Sequence, residues 1–577
     1  MLSHECMQLT IQSLNCQTCV KQRKIVDSLH KTTKITPVQL QTLIHVGNPK
    51  EKGKIELNLP LNILETSLGI TNVNEILKIH PDDIIKSVQL VRDRANRKIS
   101  FEIDRSIFIK DVIENCYYPE VNFKPKNIVV EYSSPNVAKP FHFGHLRSTI
   151  LGNFLSNLNL FIKNNVTRIN YLGDWGTQFG FIKVGLKDLN YNLDSLKTDP
   201  IKILYQCYVH ANKMAEKDPE ILERAKAEFV KLEQGSANDL KHWQQILNFT
   251  KNELVKTYER LGVTFDEYNY ESMYSQKDIG DVIDTMRKKH ILKKQPDGKE
   301  VAEVGTDKTV TVIKSDGSTL YLSRDIAAAI DRFKKYNFDK MYYVVANDQN
   351  DHFYALRSIL HKMDLPWSDR LVHVKFGRIK GMSSRKGTSV FLQDILDECK
   401  ELIVKRQIES PTTKVPISND HISDILGISC VIINDLKQRR QRDYEFDWDK
   451  VLQVKGDTGI KLQYTHCRLH SLEENCGVLP AKSCNTSILI ENEVVELIKE
   501  LAKFQDVLHN SLEQLEACIL VAYLFHLCNH VSKALKTLQV KGMDPDVAAQ
   551  RLLLFNTARE VLNNGMRILG LKPLIKM

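Results

Sequence analysis

The chain has 577 residues, of which 42% are hydrophobic and 26% charged, and its formal net charge is +9. That length allows two to four domains with a large buried core, and the composition excludes a disordered or fibrous chain. A modest basic excess suits a polyanionic partner such as nucleic acid, and equally an ordinary surface of solvated lysines.

The first 24 residues hold Lys21, Arg23 and Lys24 but also Glu5, a weak match to the arginine-rich, acid-poor pattern of an import presequence. Cys16 and Cys19 form a lone CxxC among twelve scattered cysteines. A structural zinc site needs two further ligands at matching spacing, and none follows, so no metal site is expected and reduced intracellular thiols are. The glycosylation-like triplets at Asn165, Asn248 and Asn485 then carry no meaning. Residues 1–120 alternate short polar and apolar pieces, as in RKISFEIDRS at 97–106, and read as a small N-terminal α+β domain.

Residues 121–391 read as a Rossmann-like α/β domain. NIVVEY (127–132) is a buried strand, SSPN (133–136) a turn, and Leu146, Ile150, Phe154 and Leu158 mark an amphipathic helix. VTRINYL (166–172) is the next strand, ending at Gly173. Strand, helix, strand is the βαβ unit of a doubly wound parallel sheet. Residues 185–260 are charged and helical and read as an insertion. TVTVIKSDGSTLYLS (309–323) predicts a hairpin around Ser315, Asp316 and Gly317. RDIAAAIDRF, KMYYVVAN, DHFYALRSILHKM and RLVHVKFG then alternate helix and strand.

Residues 392–577 show helical spacing nearly throughout and predict an all-α bundle. No apolar run reads as a membrane span; ILVAYLFHLCNHV (519–531), interrupted by histidines and an asparagine, predicts a buried bundle helix. No internal repeat or low-complexity tract is present.

Ligands of a doubly wound sheet bind where strands end and helices begin. KPFHFGHLRSTILGNFL (139–155) lies at such a point. A helix amino terminus attracts phosphate. His142 and His145 can donate to phosphate oxygens, and Gly144 leaves room for a flat base. HxGH alone is as readily a pair of surface histidines, and metal binding by HExxH would need a different spacing. KGMSSRKGTS (380–389) is a second basic, glycine-flanked loop after a strand. It suits a developing pyrophosphate charge, and on its own would pass as a solvated turn.

Together these two stretches resemble the HIGH and KMSKS signatures of the class I aminoacyl-tRNA synthetases. Here they read HFGH and GMSSR followed by Lys386. The first lysine of the second signature is missing and Ser384 stands for the other, so Arg385 and Lys386 are the candidate cations. Within the class, VEYSSPNVAKPFHFGHLRSTILGN, INYLGDWGTQFG, SDGSTLYLSRDIAAAIDRF, FGRIKGMSSRKG, GDTGIKLQYTHCRLHSL and the ending NNGMRILGLKPLIKM resemble the arginyl-tRNA synthetases. The resemblance covers about 127–577 and is weak over 1–120.

The resemblance implies ATP-dependent attachment of L-arginine to tRNA(Arg) through an arginyl-adenylate, with Mg²⁺ accompanying ATP. It implies His142, His145, Ser383, Arg385 and Lys386 as catalytic residues. It places Gly144, His352, Met382, Ser383 and Ser384 with the two histidines around ATP. It places Glu131, Asn136, Tyr321, Asp325 and Gln349 in the arginine pocket. Tyr321 and Asp325 are assigned to the guanidinium, Asn136 and Gln349 to the α-amino and carboxylate end, and Glu131 to either. A guanidinium is planar, permanently charged and favours carboxylates; taken alone, Asp325 reads as a first-turn helix acid and Tyr321 as a packed strand aromatic. Trp175, beside Asp174, either stacks on a base or plugs the core. The bundle is implied to bind the anticodon arm and the N-terminal domain the tRNA elbow, in a monomer without membrane contact. SSPNVAKPFH and NYLGDWG look like the animal mitochondrial and fungal branch, which implies the mitochondrial matrix, with the cytoplasm as the alternative.

Overall fold

The computed structural model describes residues 25–577 except 31–39, 41–42, 48, 50, 52, 69–72, 94–95, 118–123, 138–140, 142, 235–236, 307, 382–390, 410–419 and 454–455. Cys16 and Cys19 therefore lie outside the described residues.

The central half is built on a five-stranded sheet in the spatial order Leu371–His373, Lys340–Tyr343, Asn127–Glu131, Asn165–Leu172, Glu267–Tyr270. Every pairing in it is parallel. The strand that comes first in sequence is in the middle. The chain moves from it to one side, then returns on the other, and the reversal opens a crevice at the carboxyl ends of Asn127–Glu131 and Lys340–Tyr343. Ile128, Val129 and Val130 are at most 3% exposed, because a parallel strand covered on both faces must be apolar on both. The helix Phe143–Phe161 covers one face with its predicted stripe of Leu146, Ile150, Phe154 and Leu158, all buried. Gly152 permits the close approach: a Cβ there would stand 2.1 Å from Cγ of Tyr132.

Four helices, Thr177–Asp188, Pro200–Ala215, Pro219–Glu233 and Ala237–Leu261, are inserted before the strand Glu267–Tyr270. Asp199 and Asp218 cap two of them, each followed by proline, whose missing N–H is harmless there.

The hairpin predicted at 309–323 is corrected. Lys308–Ile313 pairs with Glu300–Gly305, and Leu292–Lys294 completes a separate antiparallel sheet of three strands. The turn itself forms: Gly317 has φ +82, and its N–H donates to the Lys314 carbonyl at 3.0 Å. The second arm makes a single bridge, Ile313 to Thr319, because the chain is helical from Tyr321 to Tyr336. Leu322, Ile326 and Ala329 are buried, and this helical stripe overrides the strand preference of the tyrosine.

Near the amino end, His45–Val46, Glu56–Pro60, Asn96–Ile103 and Ile85–Asp93 form an antiparallel sheet in that order, with Ile99, Phe101 and Ile103 buried. The carboxyl part contains the helices Leu392–Glu409, Asp420–Leu436, Gly459–Asn475, Asn492–Ala502, Phe504–Gln514, Ala517–Thr537 and Pro545–Ile568. Ala517–Thr537 is, by length and composition, apolar enough to cross a membrane, which corrects the reading that no run qualifies. Its Leu520, Leu524, Leu527 and Val531 are buried, and it packs against five neighbouring helices as a bundle core element. The helix Arg105–Asn115 touches the carboxyl part: Arg105 donates to the Leu489 carbonyl at 2.8 Å, and Thr557 donates to that of Ile113 at 3.3 Å.

Candidate active site

The crevice has a strained floor. Ser133 and Ser134 follow the central strand with φ of 72° and 45°. Left-handed backbone in non-glycine residues costs on the order of 1–3 kcal/mol each and persists only where the surroundings enforce it. Here they do. The Ser133 N–H donates to Ser148 Oγ at 2.9 Å, and the Ser134 N–H to Asn170 Oδ1 at 3.1 Å. Ser133 Oγ lies 2.7 Å from the hydroxyl of Tyr258, which also accepts from Asn170 Nδ2 at 3.0 Å. Ser148 Oγ donates in turn to the Val344 carbonyl at 2.6 Å, so this network joins the two strands that flank the crevice.

The helix Phe143–Phe161 begins beside that floor. Gly144 is exposed and His145 half-buried in its first turn. The His145 ring centroid is 5.5 Å from that of Phe141, and its carbonyl accepts from Thr149 Oγ1 at 2.6 Å. His142, Met382, Ser383, Ser384, Arg385 and Lys386 lie outside the described residues.

The opposite wall is the amino end of the helix Tyr321–Tyr336. Tyr321 is 61% exposed. Asp325, one turn on, accepts from His352 Nε2 at 2.7 Å, so the histidine expected at ATP is bonded to a residue expected at arginine. A cavity of about 380 Å³ is bordered by Leu320, Tyr321, Asp351, His352 and Tyr354. Gln349 is exposed at the end of the turn Asn347–Gln349, just before His352. Asn136 bridges to Gly173, and its side chain occupies the space above that glycine: a Cβ there would meet Oδ1 at 2.1 Å.

Glu131 is the expectation that the geometry changes most. Its carboxylate is engaged by Arg332, and both residues are at most 5% exposed. The Arg332 guanidinium also lies over the Tyr171 ring, 4.7 Å from its centroid. Burial raises the Glu131 carboxyl, the charge of Arg332 opposes that, and Asp325 raises it further. Glu131 thus has an internal counter-ion.

Glu271, which sequence reasoning missed, and Asp174, noted there only beside Trp175, supply acid nearby. Glu271 opens the short turn Glu271–Met273 after the strand Glu267–Tyr270. Its carboxyl is pushed up to about 8, first by burial and then by the charge of Asp325; Asp174 adds to this and Arg324 opposes it. Asp174 is fully buried and pushed up to about 6 by that burial. It accepts from the Ser272 N–H at 3.0 Å and Ser272 Oγ at 2.7 Å, which clamps the turn that carries Glu271. Trp175 packs edge-on against Phe229 and Trp243 at 5.3 and 5.9 Å, the core alternative for that ring. The Glu271 carboxyl, held up by burial and then by the charge of Asp325, would be returned toward its ionised form by a cation such as a guanidinium. Among the described residues no group of three or more histidines, cysteines or acids is placed to hold a metal ion.

A parallel sheet that reverses at its central strand, with a helix amino terminus at the reversal, is a doubly wound architecture that class I tRNA synthetases share with other nucleotide-binding enzymes. The family model for tRNA synthetases class I (R), catalytic domain, matches residues 111–448, and that for the DALR anticodon binding domain matches 462–577. The chain belongs to the arginine–tRNA ligase family of that class. It is 40% identical over 510 residues to a probable mitochondrial arginine–tRNA ligase of Bos taurus, covering 87% of this chain and 88% of that one. It is 38% identical over 500 residues to the mitochondrial enzyme of Saccharomyces cerevisiae, covering 83% and 77%. The cytoplasmic enzyme of the same yeast is 40% identical over 466 residues, covering 78% and 77%. The fold matches the arginyl-tRNA synthetase of Thermus thermophilus with a TM-score of 0.79 at 18% identity, covering 97% of this chain and 100% of that one.

Proposed function

We propose that this chain attaches L-arginine to tRNA(Arg) in two steps at the crevice. An arginine carboxylate oxygen attacks the α-phosphorus of ATP, the bond to the β-phosphate oxygen breaks, and pyrophosphate leaves with the electron pair. The 2′-hydroxyl of the terminal adenosine of tRNA then attacks the arginyl carbonyl and AMP leaves. The observation that carries this reading is the acid pair Glu271 and Asp325 beside Tyr321. Burial first and the charge of Asp325 second push the Glu271 carboxyl up to about 8, and a guanidinium placed beside both acids would offset that cost.

In this reading Asp325, Glu271 and Tyr321 hold the guanidinium, and Asn136 and Gln349 the α-amino and carboxylate end. His142 and His145 grip ATP phosphates with the help of the helix amino terminus, and Gly144 leaves room for the base. Met382, Ser383 and Ser384 contribute to the ATP site, and Arg385 and Lys386 neutralise pyrophosphate. Catalysis is then positioning and charge neutralisation, with little covalent work for the protein. Mg²⁺ enters as part of the nucleotide substrate. The bundle takes the anticodon arm, supported by the match of residues 462–577 to an anticodon binding domain. The N-terminal sheet contacts the tRNA elbow, and the enzyme acts as a monomer.

The mitochondrial matrix is the proposed compartment, supported by mitochondrial relatives at 38–40% identity. Fractionation of cells, with charging of mitochondrial and cytosolic tRNA pools, tests it against the cytoplasm. For the reaction, purified protein is supplied with ATP, arginine and a tRNA(Arg) transcript. ATP consumption that depends on both arginine and tRNA, lost in His145→Ala, is expected. Consumption without arginine, or unchanged charging by the variant, overturns the reading.

A further inference from the structure

The helix that starts with the histidine signature also carries Arg147, which is 1% exposed. Its guanidinium meets backbone, not solvent. Nη1 donates to the carbonyls of Gly377 and Arg442 at 2.6 and 3.0 Å, and Nη2 to that of Arg439 at 3.5 Å. Nε lies 3.2 Å from Asp435 Oδ2, itself 2% exposed. The Tyr444 hydroxyl donates to the same carboxylate at 2.9 Å, and its ring centroid is 5.1 Å from the guanidinium carbon.

These contacts hold three separate segments. One is the helix of His145. The second is residues 377–380, the stretch that leads toward the basic signature. The third is the end of the bundle helix Asp420–Leu436 with the strand Tyr444–Glu445, which pairs in parallel with Ile379–Lys380. Gly377 is wedged in place: its N–H donates to the Arg440 carbonyl at 3.0 Å, and a Cβ would stand 2.6 Å from the Arg442 carbonyl carbon. A buried ion pair is poor value for stability alone. A guanidinium with five N–H groups in a fixed fork is, however, the one side chain that can serve converging carbonyls and a carboxylate together.

We infer that Arg147 is a positioning residue for adenylate formation. It locks the helix that bears His145 to residues 377–380, so that this helix and the stretch leading to the second signature keep one spacing. The inference rests on the proposed reading that these two elements share ATP.

The test is tRNA-dependent, arginine-dependent pyrophosphate exchange by wild type, Arg147→Gln, Arg147→Lys and Asp435→Asn, with thermal melting of each. Expected in Arg147→Gln is a kcat loss of ~100-fold, the scale of an ångström-sized misplacement, with KM for arginine within about twofold. Arg147→Lys, which keeps charge but not the fork, should recover only part. A kcat equal to wild type, a loss matching only the fraction unfolded, or a KM for arginine that rises as far as kcat falls overturns the inference. Should Arg147→Gln fail to fold, the same split is read from Asp435→Asn, and an unchanged kcat there overturns it equally. An inactive wild type would defeat the proposed function and this inference with it; an active wild type with indifferent variants defeats this inference alone.

Discussion

His352 Nε2 stands 2.7 Å from Asp325 Oδ2, so one of the two acids offered to arginine is already shared with an imidazole. A hydrogen bond to an ionised group is stronger than a neutral one and fixes the acceptor's orientation. Replacing His352 with alanine should raise KM for arginine by ~10-fold, about 1.4 kcal/mol, and leave KM for ATP nearly unchanged. Steady-state kinetics varying each substrate decides this; a rise confined to ATP would instead return His352 to the nucleotide.

Glu271 makes arginine binding pH-dependent. Its carboxyl is pushed up to about 8 in the free site, and a bound guanidinium favours the ionised form. Arginine therefore expels a proton below that pH, and affinity should climb by up to about tenfold per pH unit before levelling above it. Stability runs the other way: the folded state favours the protonated acid, so the free protein loses stability as pH rises from the ordinary 4.5 toward 8. Titration calorimetry below neutral pH, in two buffers of different ionisation heat, should reveal proton release that vanishes in Glu271→Gln. Identical heats in both buffers for the wild type would rule the coupling out.

The Glu131–Arg332 pair should behave as a unit. Arg332→Met leaves a buried carboxylate without its counter-ion, an expected loss of ~3–5 kcal/mol. Glu131→Gln added to it should return most of that stability, since the surviving groups are neutral. Denaturant melts of both single variants and the double variant measure the coupling. Additive losses would show that the two side chains are independent.

Gly173→Ala places a methyl where Asn136 Oδ1 now lies, 2.1 Å from the new Cβ. The strand end is held by Asn165–Leu172 in the sheet, so the asparagine must yield. The expected result is a fall of about tenfold in kcat/KM for arginine, read from aminoacylation rates, with the melting temperature little changed. If arginine kinetics are untouched, Asn136 has no part in the pocket.

Much of the fold was legible because its signals are local. The apolar run 127–132 and the four-residue repeat from Leu146 to Leu158 each need only their own segment to be understood. The second arm at 319–323 was misread because Tyr321 and Leu322 suit a strand, while burial of Leu322, Ile326 and Ala329 on one face makes a helix. The site was harder. Arg332 looks like a solvated helix residue until the sheet brings Glu131 to it from 201 positions away. Glu271 sits in YNYESM with no spacing to flag it, and its character comes from burial first and then from Asp325 and Asp174 on other elements. Charge pairs made by topology leave no periodic trace.

The paired left-handed serines set a boundary for anyone redesigning amino-acid preference. Backbone at φ 72° and 45° rejects β-branched replacements, and its hydroxyl and amide partners reach into the helical insertion and the neighbouring strand. Changing Ser133 or Ser134 would tilt the platform beneath every ligand together. The front of the helix Tyr321–Tyr336 carries Tyr321 and Asp325 on a different element from the serines, and it is the surface to randomise when a different cationic amino acid is wanted.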